Sequence, residues 1–228
     1  LMDLYELVKK DGQSFLERCR ILFHGDGAAI PSGNDRPRYE HLRDVFNAKK
    51  IDPALDAVGI GRSEMFVYLN RHCFNGLCRY NSKGKFNVPF GRYKGPSVPH
   101  DDILLFHKQI QSVTFTAGDY TKMLATLNPG DGDVVYLDPP YVPLSATASF
   151  TDYSNDGGFP MAKQEELAKL AEKYSAQGAV VLVSNHDTTV SRDLYKNASS
   201  IHAFEVTRFI SAAGKSRNKA PELIAVYK

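Results

Sequence analysis

Apolar residues in the N-terminal part of the chain recur at the spacing of helices. They predict helical structure between residues 4 and 23, with apolar positions at Leu4, Leu7, Val8, Phe15, Cys19, Leu22 and Phe23. Residues 24–37 are rich in Gly, Pro, Ser, Asn and Asp, which favours a loop. A further helix is predicted over 63–72, and residues 81–99 predict a loop or hairpin because glycines interrupt them.

From residue 101 onward the pattern changes to alternating helices and strands. Helices are predicted over 101–111, 120–127 and 163–177, and strands at VTFTAG (113–118), VVYL (134–137) and AVVLVS (179–184). VVYL and AVVLVS are continuously apolar, which is typical of strands buried on both faces of a sheet. HAFEVTRFI (202–210), a basic loop around Gly214 and ELIAVY (222–227) predict a terminal hairpin. We therefore expect an α/β fold with a mainly parallel sheet.

Composition bounds the class of protein. The chain has 228 residues, of which 43% are hydrophobic, enough for one core and a smaller second one. It contains no run of about 18 apolar residues, and residues 1–10 lack a signal-peptide pattern, so we expect a cytoplasmic protein without membrane contact. Three cysteines argue against a disulfide framework. A zinc site at His72, Cys73 and Cys78 is disfavoured because a second ligand pair is missing.

The net charge of +2 is unevenly distributed along the chain. Residues 65–99 contain no Asp or Glu but carry six cations, Arg71, Arg79, Lys83, Lys85, Arg92 and Lys94. Aromatic residues alternate with these cations, namely Phe74, Tyr80, Phe86, Phe90 and Tyr93. Cations that neutralise phosphates, interleaved with rings that stack on bases, favour a nucleic-acid-binding surface. The alternative is a solvated basic face beside a few core aromatics.

The sequence Asp138-Pro139-Pro140-Tyr141 follows directly on the predicted strand VVYL. It is therefore expected at the carboxyl end of a strand, where open α/β sheets form ligand crevices. One reaction that these residues suit is methylation of the exocyclic amine of adenine. This amine is a poor nucleophile because its lone pair is delocalised into the ring. Asp138 and the Pro139 carbonyl can accept both of its N–H groups, while the prolines fix φ and remove competing donors. Tyr141 offers a ring on which a base outside the duplex can stack.

The same motif also has a simpler interpretation, as a rigid turn after a strand. Ser184-Asn185-His186-Asp187 contains hydrolase-like residues, but a catalytic triad needs separated elements and no G-x-S-x-G turn is present. We predict that these four residues form a loop lining the same crevice. The glycine pairs at 25/27 and 59/61 follow no predicted strand, so they are interpreted as turns rather than phosphate-binding loops.

Three long segments carry a family resemblance: VVYLDPPYVPLSATASFTDY (134–153), LVSNHD (182–187) and YLNRHCFNGLCRYNSKGKFNVPFGRYK (68–94). They closely resemble the DNA adenine methyltransferases that recognise GATC, the Dam family. The resemblance implies a Rossmann-like methyltransferase sheet, here lacking its N-terminal strands, with an inserted, mainly helical target-recognition domain plus hairpin. It implies a remnant of the methyltransferase domain at 1–11, target recognition at 12–99 and catalysis at 100–228. It also implies that Asp138, Pro139, Pro140 and Tyr141 bind and orient a flipped-out adenine.

The resemblance further implies a set of DNA contacts. Arg79 stands where the family reads a guanine, which suits the bidentate match of arginine to guanine O6 and N7. Leu77 and Pro89 stand at positions associated with base contacts. Phe74, where a tyrosine is common, and Asn75 stand at the tip that inserts into the duplex. Phosphate contacts are implied for Arg71, Asn81, Asn87, Arg92, Tyr93 and Lys94.

The cofactor that the resemblance implies is S-adenosylmethionine. Asp119 and Tyr120 would contact its adenine, Asp138 would lie near its methionine end, and no metal is implied. The family's N-terminal F-x-G-x-G loop does not occur in these 228 residues, and residues 1–9 resemble the helix that follows it. We therefore expect the chain to be part of a longer protein.

The predicted function is methyl transfer from S-adenosylmethionine to N6 of a flipped-out adenine in double-stranded DNA, within GATC. One alternative is a sequence-specific DNA-binding protein without catalysis. Another is a methyltransferase that acts on cytosine N4 or on RNA. The sequence gives no sign of an obligatory protein partner.

Overall fold

The computed structural model describes residues 1–25, 30, 33–48, 50–144, 159–207 and 219–228. Within them the chain forms two units, Leu1–Ala117 and Gly118–Lys228, and no helix is long and apolar enough to cross a membrane. The functional division at residues 11 and 99 stays a prediction. Gly27, residues 145–153 and the loop around Gly214 lie outside the described residues.

The first unit is built from helices. They are α1 (Met2–Lys10), α2 (Gly12–His24), α3 (Arg36–Asn47), α4 (Pro53–Ala57), α5 (Arg62–His72) and α6 (His100–Gln109). The apolar positions between residues 4 and 23 form two helices, because the Asp11 carboxylate accepts the Ser14 backbone N–H at 2.9 Å and caps α2. Helices α5 and α6 confirm the predictions over 63–72 and 101–111.

The sequence patterns did not predict α3 or α4. Helix α3 begins at Arg36, in a segment whose composition favours a loop. Its start signals are local: the Asp35 carboxylate accepts the Arg38 backbone N–H at 2.9 Å, and Pro37 occupies the first turn. Capping chemistry therefore indicated this helix better than composition did.

Two polar side chains are buried in the core of the first unit. Glu64 is 1% exposed, and its carboxylate accepts Arg18 Nε at 2.8 Å and the Gly61 N–H at 2.9 Å, which compensates its charge. His72 stacks on Tyr68 with ring centroids 3.7 Å apart, and its Nδ1 lies 2.7 Å from the Tyr68 carbonyl. His72 is thus a hydrogen-bonded core side chain at the end of α5.

The stability of the first unit is expected to fall between pH 7 and pH 5. Burial lowers the pKa of His72 from 6.5 to about 4. Over this range the unfolded chain binds a proton at His72 and the folded chain does not, so the free energy of unfolding decreases by about 2 kcal/mol. Urea titrations at the two pH values measure the decrease. His72→Gln keeps a donor for Tyr68 and should lose about 2 kcal/mol less; equal losses in both proteins would contradict the assignment.

The second unit, in its described part, combines a sheet with helices. The strands are β1 (Val134–Leu137), β2 (Val180–His186), β3 (Ser200–Thr207) and β4 (Lys219–Tyr227). The helices are α7 (Tyr120–Leu127), α8 (Met161–Ala176) and α9 (Thr189–Leu194). The strand order is β1-β2-β4-β3, and α8 packs Leu167 and Ala171 into the same core as Val181 and Val183 of β2. Helices α7 and α8 confirm the predictions over 120–127 and 163–177.

Three predictions about strands are wrong. The described sheet is not mainly parallel: β1 pairs parallel with β2, but β4 pairs antiparallel with both β2 and β3, because the terminal hairpin places β4 beside β2. VTFTAG (113–118) is not a strand, since no described segment pairs with it. VVYL forms β1 but is not buried, because it lies at the sheet edge, where Val134 and Tyr136 are 69% and 58% exposed. The AVVLVS strand and the terminal pair of strands are confirmed.

Candidate active site and DNA-binding surface

Asp138 comes directly after the carboxyl end of β1. Because β1 and β2 are parallel, with Leu137 opposite Val183, the residues that follow this pair lie side by side. The Ser184 hydroxyl donates a hydrogen bond of 2.6 Å to Oδ1 of Asp138. Asp138 is exposed and Pro139 is buried, so the motif is anchored while its carboxylate remains accessible. The motif therefore stands at a strand end, as the sequence predicts.

Polar side chains hold the main chain of the motif in place. Gln164 of α8 donates from Nε2 to the Pro140 carbonyl at 2.7 Å. Asn185 accepts the Val142 N–H at 2.8 Å. His186 Nδ1 lies 2.6 Å from the Val142 carbonyl, which can only accept, so the proton is on Nδ1. All three side chains are buried, and each bonds a backbone group within or just after the motif.

The predicted loop at residues 184–187 is wrong for Ser184, Asn185 and His186, which belong to β2. The continuously apolar pattern ends before them, but pairing with β4 continues as far as His186. Their contacts with the motif agree with the prediction that they line the same crevice. Asp187 follows the strand and accepts two hydrogen bonds from Arg192, at 2.5 and 2.8 Å.

Tyr141 packs edge-on against His186, with ring centroids 5.0 Å and ring planes 81° apart. Burial raises the pKa of Tyr141 to about 12, so its hydroxyl stays neutral near pH 7. Two acceptors of the motif have no donor among the described residues: Oδ2 of Asp138 and the Pro139 carbonyl. Together they can accept two N–H groups.

Asp119 and Tyr120 stand at the start of α7. The Asp119 carboxylate accepts the Thr121 backbone N–H at 3.0 Å, and the Thr121 hydroxyl holds the pKa of that carboxyl below its usual range. The Tyr120 hydroxyl donates to the Glu166 carboxylate at 3.1 Å, and its ring lies 5.6 Å from the Phe159 ring. The start of α7 thus carries an ionised carboxylate next to an aromatic pair.

Residues 71–94, which we call the basic aromatic segment, begin with a tight turn. Phe74–Gly76 forms a 3-10 turn after α5, and Asn75 adopts a φ of 54°, which is uncommon outside glycine. The Asn75 N–H donates to the Tyr93 hydroxyl at 2.8 Å, and Asn70 Nδ2 donates to the Gly76 carbonyl at 2.7 Å. Phe74 is 49% exposed. The turn is therefore held on two sides while its aromatic ring stays accessible.

Arg79 is oriented by Asn87. Its Nε donates to Asn87 Oδ1 at 2.8 Å and its Nη2 donates to the Asn87 carbonyl at 3.1 Å. No described residue accepts a hydrogen bond from Nη1. Asn81 Oδ1 accepts the N–H groups of Lys83 and Lys85, at 2.9 and 3.1 Å, and so holds the turn between them. The side-chain oxygens of Asn81 and Asn87 thus shape the segment, and their phosphate contacts stay predictions.

Exposure divides the aromatic residues of the segment into two groups. Phe74, Tyr80 and Tyr93 are between 42% and 49% exposed. Phe86 is 1% exposed, and Phe90 packs against the same core. The Phe86 ring is therefore a core aromatic and is not accessible to a base, and the partly buried Phe90 packs against the same core. Base stacking by the exposed rings stays a prediction.

Arg71 and Lys94 line one cleft of about 340 Å³, together with Asn70, Gly76, Tyr93 and Pro96. Neither cation forms an ion pair within the described residues, and the same holds for Arg79, Lys83, Lys85 and Arg92. Leu77 is half-buried beside the turn and Pro89 is exposed. The segment therefore carries positive charge that no described acid neutralises, as phosphate binding requires.

Gln164 is a site residue that the sequence patterns missed. It is fully buried on the face of α8 that also buries Leu167. An uncharged polar residue at an apolar position of a helix was the available signal, since buried polar groups need hydrogen-bond partners.

Comparison with known proteins places these features in one family. Residues 1–210 match the family described as D12 class N6 adenine-specific DNA methyltransferase. The DNA adenine methylase of Escherichia coli strain K12 is 41% identical over 228 residues, which cover 100% of this chain and 76% of that protein. Those of Serratia marcescens and Vibrio cholerae serotype O1 are 41% and 40% identical over 100% of this chain, with 78% and 76% of their own lengths covered.

These matches confirm both the resemblance and the predicted class of enzyme. The chain belongs to the D12 class of N6 adenine-specific DNA methyltransferases.

Proposed function

We propose that the chain transfers a methyl group from S-adenosylmethionine to N6 of an adenine rotated out of double-stranded DNA, and that this adenine lies in GATC. The observation that carries the proposal is the pair of open acceptors at the end of β1, Oδ2 of Asp138 and the Pro139 carbonyl. An exocyclic base amine has the two N–H groups that such a pair accepts. The family description supports adenine as that base.

The motif prepares the amine for reaction. When Asp138 and Pro139 each accept one N–H group, the nitrogen lone pair turns out of conjugation with the ring. S-adenosylmethionine, when bound, would supply a methyl group on a sulfonium centre, and it would depart as a neutral thioether once N6 has displaced that methyl group in line. The Asp138 carboxylate stabilises the positive charge that develops on N6 and receives the proton that N6 then loses. Tyr141, held by His186, provides the ring against which the adenine rests.

The described residues fit part of the cofactor. Tyr120 offers an aromatic plane and Asp119 an ionised acceptor, as an adenosyl group needs, at the start of one helix. Asp119 Oδ2 lies 3.7 Å from Lys163 Nζ, so this carboxylate is only loosely paired and can accept a ligand hydrogen bond. We assign the adenosyl end to Asp119 and Tyr120, and the methionine end to the neighbourhood of Asp138.

The basic aromatic segment is the proposed DNA reader. Phe74 and Asn75 enter the duplex where the adenine leaves, because the turn that carries them is rigid and its ring is accessible. Arg79 reads a guanine, and Leu77 and Pro89 contact neighbouring bases. Phosphates are bound by side chains along the segment, namely Arg71, Asn81, Asn87, Arg92, Tyr93 and Lys94.

Transfer of a tritiated methyl group tests both the reaction and the DNA recognition sequence. The full-length protein is incubated at pH 7.5 with labelled S-adenosylmethionine and either a GATC duplex or a duplex of the same composition in which GATC is scrambled. We expect label in the GATC duplex only. Equal labelling of both duplexes would contradict the GATC assignment, and binding of DNA without any label would contradict transfer.

A further inference from the structure

Three buried polar side chains form hydrogen bonds to the motif or to the residue just after it. Gln164 and Asn185 are 0% exposed and Ser184 is 4% exposed. Burying a polar group costs free energy unless the group is hydrogen-bonded, so the partners of these three side chains indicate what each one does. Each of the three bonds directly to a group within or just after the sequence Asp138-Pro139-Pro140-Tyr141.

Ser184 fixes the orientation of the Asp138 carboxylate. Its hydroxyl has a single proton, and Oδ1 of Asp138 at 2.6 Å is a closer acceptor than the Leu137 carbonyl at 3.4 Å. A hydroxyl donating to a carboxylate at this distance makes a strong, charge-assisted hydrogen bond. The carboxylate therefore cannot exchange its two oxygens by rotation without breaking that bond. Oδ1 thus has one lone pair engaged by Ser184, whereas Oδ2 accepts no hydrogen bond from the described residues and keeps both of its lone pairs for a ligand.

Gln164 and Asn185 each form a hydrogen bond to one backbone group of the same region. Gln164 occupies the Pro140 carbonyl at 2.7 Å, and Asn185 occupies the Val142 N–H at 2.8 Å. Asn185 is itself fixed, because its Nδ2 donates to the Tyr195 hydroxyl at 2.9 Å. The Pro139 carbonyl is left without a donor in the described part of the chain.

We propose that Ser184 and Gln164 are positioning residues that determine which two acceptors hold the target amine. They each donate one hydrogen bond, to Oδ1 of Asp138 and to the carbonyl of Pro140, so the amine is directed to the two oxygens that receive none from the described residues, Oδ2 of Asp138 and the carbonyl of Pro139. This inference rests on the proposed function, since it assigns how that same site presents its acceptors. Neither residue touches the adenine, and both act through the motif.

Single-turnover methyl transfer by the Ser184→Ala and Ser184→Thr variants of the full-length protein tests the proposal. Ser184→Ala leaves the carboxylate free to rotate, so we expect the rate constant at saturating DNA to fall by about tenfold to a hundredfold. The Kd for the GATC duplex should stay within about twofold of the value for the unsubstituted protein. Ser184 lies far along the sequence from the cations proposed to bind phosphate, and no DNA contact is assigned to it. Ser184→Thr keeps the hydroxyl and should restore most of the rate.

Ser199→Ala is the matched control. Ser199 lies in the same unit, and its hydroxyl donates to the Lys228 carbonyl at 3.0 Å, outside the motif. We expect its rate constant to be unchanged. A melting curve for each protein separates loss of folding from loss of positioning.

A wild-type rate constant for Ser184→Ala would overturn the proposal. If Ser184→Ala also melts at a clearly lower temperature, Ser184→Thr decides: restored transfer supports positioning, and transfer as slow as that of Ser184→Ala overturns it. The proposed function is tested separately by the unsubstituted full-length protein in the same assay. Absence of transfer there rejects the function itself rather than the role of Ser184.

Discussion

Replacing Asp138 with alanine is expected to reduce methyl transfer by at least about 10²-fold, close to complete loss. The substitution removes one of the two acceptors that free the lone pair of N6, together with the charge that stabilises the developing cation, and losing a single group of this kind costs roughly 10²–10³-fold in other enzymes. DNA affinity should change little, because Asp138 lies outside the basic aromatic segment. Single-turnover label transfer and fluorescence anisotropy with a GATC duplex measure the two quantities.

Asp193→Ala is the control for this substitution. Asp193 is an aspartate of the same unit whose side chain is 79% exposed and pairs with Lys196 at 3.4 Å. The Asp193→Ala protein should transfer methyl groups at the rate of the unsubstituted protein. Retained turnover in Asp138→Ala, at more than about a tenth of the normal rate, would refute the role of this carboxylate.

Replacing Arg79 with alanine is expected to relax specificity at one base pair. Asn87 occupies Nε and one hydrogen of Nη2, which leaves Nη1 and the second hydrogen of Nη2 as an end-on pair of donors. Such a pair matches guanine O6 and N7, and its loss should cost about 1–3 kcal/mol of discrimination. Transfer rates on GATC and on duplexes with one substituted base pair measure this loss.

Lys83→Ala is the comparison for Arg79→Ala. Lys83 is an exposed cation of the same segment. If it contacts a phosphate, losing that contact would weaken binding to all DNA sequences alike. Arg79→Ala should instead alter the ratio between cognate and substituted duplexes at a single position. Equal weakening on every duplex would mean that Arg79 contacts phosphate and not a base.

Local signals were sufficient to predict much of the fold. Helices α5, α7 and α8 have apolar periodicity and clear ends, and the residues of the motif follow a short apolar strand. Predictions failed where the answer depends on a partner distant in sequence. VTFTAG (113–118) has the composition of a strand, but a strand exists only where another strand pairs with it. VVYL (134–137) is apolar along its whole length and yet lies at the edge of the described sheet.

The site shows the same division between local and distant information. The chemistry of Asp138 and Pro139 follows from two adjacent residues and is visible in the sequence. The side chains that hold Asp138 and Pro140 come from positions 24 to 46 residues away, Gln164 on α8 and Ser184 on β2, so only the packed structure brings them together. Likewise, Phe74 and Phe86 look alike in the sequence, although one is exposed and the other is in the core.

The identity of the methylated nucleoside tests the central claim most directly. A GATC duplex is incubated with the full-length protein and labelled S-adenosylmethionine, digested to nucleosides, and separated by chromatography with mass detection. We expect all label in N6-methyl-2′-deoxyadenosine. Label in N4-methyl-2′-deoxycytidine, or a duplex that is bound but carries no label, would contradict it.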